Sequence, residues 1–177
     1  MAVIEAIATT YLEVDTASVT FSSLGSYEHL QLRISSKSDR EYQWDPIAIV
    51  FNSDTGANYT YHSLYGEGSV ENVGGSTGLT KTLTIDGTTG DMGPSTPDYG
   101  ATIMDIYDYR NTNKNTTILC LNARLSYNTS FAWDSGVSTS SGFWDSTAAV
   151  TSITLTVNNG TNFVRGSEFT LYGLNSS

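Results

Sequence analysis

Apolar and polar residues alternate along most of this chain with a period of two, and helical periodicity is almost absent. In HLQLRIS (29–35), Leu30, Leu32 and Ile34 share one face while Gln31 and Arg33 take the other, the pattern of a half-buried strand. The same reading predicts strands at AVIEAIA (2–8), ASVTF (17–21), KTLTID (81–86), TTILCLNARL (116–125), VTSITLTV (150–157) and SEFTLYG (167–173). PIAIVF (46–51) is apolar throughout and reads as a central strand. ATIMDIYDY (101–109) places Ile103, Asp105, Tyr107 and Tyr109 on one face and Thr102, Met104, Ile106 and Asp108 on the other. Two stretches lack alternation. Residues 66–100, rich in Gly, Ser and Thr, read as a long excursion holding one short strand, and FAWDSGVSTSSGFW (131–144) reads as a loop framed by Trp133 and Trp144.

Turn chemistry separates the strands. Asn-Ser-Asp-Thr-Gly, Asn-Val-Gly-Gly, Asp-Gly-Thr-Thr-Gly, Asn-Thr-Asn-Lys-Asn and Asn-Asn-Gly supply residues that tolerate positive φ or bond to their own backbone. About ten short strands at such spacing predict an all-β fold, a single-domain antiparallel β-sandwich of jelly-roll type. The 177 residues suffice for one domain with a core that needs no disulfide.

Charge is sparse and one-sided. Eight Lys and Arg against 18 Asp and Glu give a net charge of −10, and the basic residues form no patch, so no nucleic-acid partner is expected. MAVIEAIATTYLEV lacks the basic region and long apolar core of a signal peptide. No run approaches the roughly 18 apolar residues of a membrane span, so a chain made in the cytoplasm, with no membrane partner, is expected.

Candidate chemistry is thin. Asp54-Thr55-Gly56, followed by Ala57, matches the tripeptide of aspartic proteases. That mechanism needs two carboxylates sharing one proton, and the chain has one such tripeptide without the second apolar element that locks its loop. Asn52, Asp54 and Gly56 read instead as turn residues. His29, His62 and Cys120 do not supply the three or four ligands of a zinc site. The histidines read as packed or hydrogen-bonded, and Cys120 as a buried thiol. Asp105 and Asp108 point to opposite faces of one strand and make no shared cleft. Asp134 and Asp145 each follow a Trp, with nothing to fix their separation. Asp54, Asp86, Asp91 and Asp98 fall in loops without EF-hand spacing. No catalytic residue, cofactor or metal is expected.

Aromatics are the most suggestive feature: 11 Tyr, 6 Phe and 3 Trp. Trp44, Tyr127, Trp133 and Trp144 are the candidate contacts with a protein partner or a glycan, because exposed Trp and Tyr stack on sugar faces and anchor interfaces. Alternatively, Phe143 and Trp144 cap the open end of the sandwich core.

Several segments occur together in order: ASVTFSSLGSYEHLQLRIS, IVFNSDTGANYTYHSLYG, MDIYDYRNTNKNTT, GFWDSTAAVTSITLTV and SEFTLYGL. In this the chain resembles the small β-sandwich virion proteins of tailed bacteriophages, many from phages of cyanobacteria and other aquatic bacteria, over residues 17–174. FNSDTGANYTYHSLYG then reads as a hairpin turned by Asp54 and Gly56, and AAVTSITLTV and FTLYG as closing strands of a jelly roll. Residues 1–16 lie outside the resemblance as an N-terminal docking arm or extra strand, and 17–177 form the sandwich. The resemblance implies a virion structural protein with no catalytic site. The expected role is a homo-oligomeric capsid decoration or cement protein outside the major capsid shell, binding the major capsid protein. The alternative is a tail- or fibre-associated module that binds a surface carbohydrate or receptor.

Overall fold

The structure is a computed structural model that describes residues 3–67, 70–89, 97–124 and 135–175. In chain order the strands are β1 (Val3–Tyr11), β2 (Ser18–Phe21), β3 (His29–Ser36), β4 (Trp44–Phe51), β5 (Tyr59–Glu67), β6 (Val70–Leu79), β7 (Thr82–Thr89), β8 (Gly100–Tyr107), β9 (Thr116–Arg124), β10 (Gly136–Trp144), β11 (Ile153–Val157) and β12 (Glu168–Asn175). All pairings are antiparallel, in an eight-stranded sheet ordered β1-β12-β3-β8-β9-β10-β5-β6 and a four-stranded sheet ordered β2-β11-β4-β7.

Consecutive segments alternate between the sheets as in a jelly roll: β2, β4, β7 and β11 lie in the small sheet, and β3, β5–β6, β8–β10 and β12 in the large one. Where an eight-stranded jelly roll places one strand between the counterparts of β3 and β5, this chain places three. β12 and β1 then extend the large sheet beyond β3.

The alternation works as the sequence pattern predicts. Leu30, Leu32, Ile34, Met104, Ile106, Ile118, Phe169 and Leu171 face inward from the large sheet, and Val19, Phe21, Ile47, Ile49, Phe51, Ile153 and Leu155 meet them from the small one. β4 lies inside its sheet, between β11 and β7, and is buried along most of its length. Pro46, which cannot donate to a ladder, sits where the β4–β7 register shifts.

Below β7 the interior is polar. Ser138 Oγ donates to Ile85 O (2.6 Å), Ile85 N donates to Ser140 Oγ (3.2 Å), Thr82 Oγ1 donates to Thr60 O (2.8 Å), and Asn122 Nδ2 donates to Ser138 Oγ (3.1 Å). Side chains of β10 and β7 thus tie the two sheets together by hydrogen bonds, and Asn122 of β9 braces Ser138 from within the large sheet. The layers approach closely there: a Cβ added to Gly142 would lie 2.4 Å from Thr82 Oγ1 and 2.6 Å from Ile118 Cγ1.

Four expectations are corrected. Residues 51–66 are not a hairpin, because β4 and β5 lie in different sheets and the Asp54 turn carries the chain between layers. The described part of residues 66–100 holds two full strands, β6 and β7, where one short strand was expected. FAWDSGVSTSSGFW is not simply a loop, because from Gly136 it forms β10, in the middle of the large sheet. Tyr109 does not share a face with Tyr107, because Asp108 takes a φ of 47° and turns the chain. Tyr109 is thereby buried, its hydroxyl 2.8 Å from Gly25 O. Val3–Tyr11, read as an arm or extra strand, runs along β12 as the edge of the large sheet.

Candidate functional site

Because the small sheet covers one face of the large sheet, the large sheet's other face is left outward. Antiparallel register sets its residues in rungs. One rung runs Thr9, Thr170, Arg33, Ile103, Leu121, Thr139, Leu64, Val73. A second runs Ala6, Tyr172, Gln31, Asp105, Leu119, Ser141, His62, Gly75, and a third Tyr11, Glu168, Ser35, Ala101, Ala123, Val137, Gly66, Glu71.

Ile103, Leu119, Leu121, Val137, Leu64 and Val73 are exposed, the last at 80%. They are neighbours across the rungs and form one apolar patch. Single exposed leucines are ordinary, but a contiguous patch marks an interaction surface. From β8 across β9 and β10 to β5, the described residues on this face include one carboxylate, Asp105, one histidine, His62, and no lysine or arginine, and Gln31 Nε2 donates to the Asp105 carboxylate at 2.8 Å. Arg33 and Glu168 lie to one side and Glu71 to the other. A chain of net charge −10 therefore keeps this face nearly free of charge.

A shallow depression of about 490 Å³ occupies part of the face, with Ile103, Leu121 and Val137 on its floor and Arg33, Glu168 and Tyr172 at its margin. The Arg33 guanidinium lies 5.1 Å from the Tyr172 ring centroid, and its Nε donates to Gln31 Oε1 at 3.0 Å. Eight strands about 4.8 Å apart and about 26 Å long give on the order of 1,000 Å², against the roughly 800 Å² that each partner contributes to a standard interface.

The candidates singled out in the sequence do not gather here. Trp144 is in the core, 2% exposed, stacked on Tyr59 with ring centroids 6.3 Å apart and tilted against Phe51 at 5.7 Å. This leaves its indole no face for a partner, so Trp144 is withdrawn as a contact. Its Nε1 donates to Asp54 Oδ2 at 2.8 Å, and Asp54 also accepts from Gly56 N (2.8 Å) and Asn58 Nδ2 (2.9 Å). These three donors, the indole foremost, lower the Asp54 pKa. The Asp-Thr-Gly carboxylate is thus held by turn and core donors. Asn52 and Ser53, with φ of 52° and 57°, form the turn's other half. Burial pushes the Tyr59 phenol up to about 12; its oxygen accepts from Phe51 N at 3.0 Å.

Trp44 opens β4, half-buried, with the Tyr42 ring edge-on at 6.1 Å and Arg40 stacked over both. Tyr127, Trp133, Asp134 and Asp91 lie outside the described residues. Cys120 is buried, and desolvation raises its thiol pKa far above the ordinary value. His29 Nδ1 accepts from Asp108 N at 3.0 Å, while His62 stands on the outer face. Asp108 pairs with Lys114, which lowers its pKa. Asp145 accepts from Asn115 Nδ2 at 2.9 Å. Among the described residues no group of three His, Cys, Asp or Glu is placed to hold a metal ion.

The outer-face residues had one sequence signal. In TTILCLNARL both alternating sets are apolar, Ile118 and Cys120 on one side and Leu119 and Leu121 on the other. A strand with one face in water does not need the second set. No helix among the described residues is long and apolar enough to cross a membrane. No family model matches this chain, and none of the curated proteins matches it.

Proposed function

We propose that this chain is a non-enzymatic virion structural protein of a tailed phage, a decoration or cement protein that seats the outer face of its large sheet on the outside of the major capsid shell. The observation that carries the reading is that face: a broad, nearly uncharged surface with Ile103, Leu119, Leu121 and Val137 exposed at its centre. An interface core is depleted in charge and rich in apolar side chains, with polar residues at the rim, and Arg33, Glu168 and Glu71 stand at the rim here. The resemblance of residues 17–174 to phage virion β-sandwich proteins supplies the shell as the partner. The acidic residues outside this face keep the free protein soluble. Once seated across neighbouring shell subunits, the rigid sandwich opposes their separation.

The test uses purified protein and shells assembled without it. Wild type should co-sediment with shells, and Leu121→Asp and Ile103→Asp should each abolish co-sedimentation while melting within a few degrees of wild type. Undiminished binding by both variants sinks the assignment of this face.

A second reading, a carbohydrate-binding tail module, is favoured by the half-exposed Arg40, Tyr42 and Trp44 cluster. It predicts a hit on a glycan array that Trp44→Ala removes.

A further inference from the structure

β6 is one edge of the large sheet, and β5 is its only ladder partner among the described residues. Among the described residues no strand pairs with its other side, which presents a row of N–H and C=O groups, a template for another strand. Proteins ordinarily blunt such an edge with lysine, proline, a bulge or short length. VENVGGSTGL contains no lysine, arginine or proline, and is ten residues long. Val70–Ser76 keep unbroken register with β5, the irregularity lying beyond, opposite Tyr59–Tyr61. The other edge, β1, differs: its register shifts between Ala6 and Ala8, and Ile7 packs against the core. A bulge of this kind interrupts the outer ladder in mid-strand.

We propose that β6 pairs antiparallel with β6 of a second copy across a two-fold axis, joining the two large sheets into one. Charge points to a second copy as the occupant. Two chains of net charge −10 repel over most approaches, but β6 carries one charged residue, Glu71, near one end. In a two-fold register centred on Val73 or Gly74, Glu71 faces Gly75 or Thr77 of the mate, and the two carboxylates stay apart. The same registers bring the two Val73 side chains, the most exposed of the large apolar residues, together near the axis. Val73 ends the rung that holds Leu64, Leu121 and Ile103, so pairing extends the apolar face without a break and doubles it. The dimer would offer a partner two linked faces, and linkage raises avidity without any new contact.

Sedimentation velocity of the full chain at about 100 µM, a concentration that populates dimers of micromolar Kd, tests this. Wild type should sediment at twice the 19.1 kDa of one chain. Val73→Lys should sediment at 19.1 kDa, with unchanged circular dichroism because the position is exposed. Ile4→Lys, on the β1 edge, should remain dimeric. Hydrogen exchange gives a second readout on unmodified protein: amides of Val70–Ser76 should gain protection as concentration rises. A monomeric wild type, a dimeric Val73→Lys, dissociation by Ile4→Lys, or concentration-independent exchange in β6 would each overturn the proposal.

Discussion

Replacing Trp144 by Phe separates two contributions that meet at the Asp54 turn. The indole is buried between Tyr59 and Phe51, and its Nε1 donates to Asp54 Oδ2 at 2.8 Å. Phenylalanine keeps an aromatic ring but is smaller by roughly 40 Å³, which at about 24 cal/mol per Å³ of cavity costs about 1 kcal/mol. A hydrogen bond to a charged group contributes about 1.5–3 kcal/mol. Asp54 is half-exposed and keeps Gly56 N and Asn58 Nδ2 as donors, so about 1 kcal/mol is the reasonable share. The sum, about 2 kcal/mol, lowers Tm by about 4–8 °C in a domain of this size. The two parts differ in pH dependence. The Asp54 pKa is depressed in the fold, so its contribution is present above the unfolded value of about 4 and is lost as pH falls through the lower folded value. Urea titrations of wild type and Trp144→Phe, followed by circular dichroism, should therefore differ by about 2 kcal/mol at neutral pH, and by progressively less as pH falls below the unfolded carboxylate value of about 4. A difference that stays constant with pH, or stays below about 0.5 kcal/mol throughout, refutes the assignment of the carboxylate to the indole.

Other substitutions probe separate parts of the fold. Asp45 is fully buried and accepts from Asn159 N (3.0 Å), Asn159 Nδ2 (2.9 Å) and Gly160 N (2.8 Å); Asp45→Ala should cost about 3 kcal/mol or more by urea titration, because it strands those donors. Gly142→Ala should cost about 1–3 kcal/mol, because the added methyl meets Thr82 across the sandwich and Ile118 on the neighbouring strand. Cys120, buried with a raised pKa, should resist a thiol reagent in native protein and react stoichiometrically in denaturant. Leu121→Asp, on the outer face, should shift stability by no more than about 0.5 kcal/mol, since its cost falls on partner binding.

Strands with an aliphatic inner face were legible in the sequence. β3 and β8 announce themselves by Leu30, Leu32 and Ile34 and by Met104 and Ile106, and β4 by a continuous apolar run. β10 was not legible, because its inward residues are Ser138, Ser140 and Gly142, which face the polar interior beneath β7. Small hydroxyl residues in a strand that bonds across the sandwich look the same in sequence as those of a loop. β6 escaped for a related reason: as an edge strand exposed along most of its length it needs no alternation. The crossing at Asp54 was legible as a turn but not as a change of sheet, since its length and residues suit a hairpin equally well. The aromatics misdirected attention for Trp144, where core packing and a partner contact call for the same residue type. The outer apolar face was written in the sequence only as a second apolar set in β9, with Ile103 beside it in β8, and its extent depends on a strand order that no local pattern encodes.

The most direct test of the proposed virion-shell role is to seek this protein in purified particles of a tailed phage whose genome carries its gene, and to measure its copy number by quantitative mass spectrometry against the major capsid protein. The account predicts hundreds of copies in fixed ratio to the shell subunit. Its absence from the particle, or a handful of copies in multiples of three or six as expected of a tail component, would contradict it.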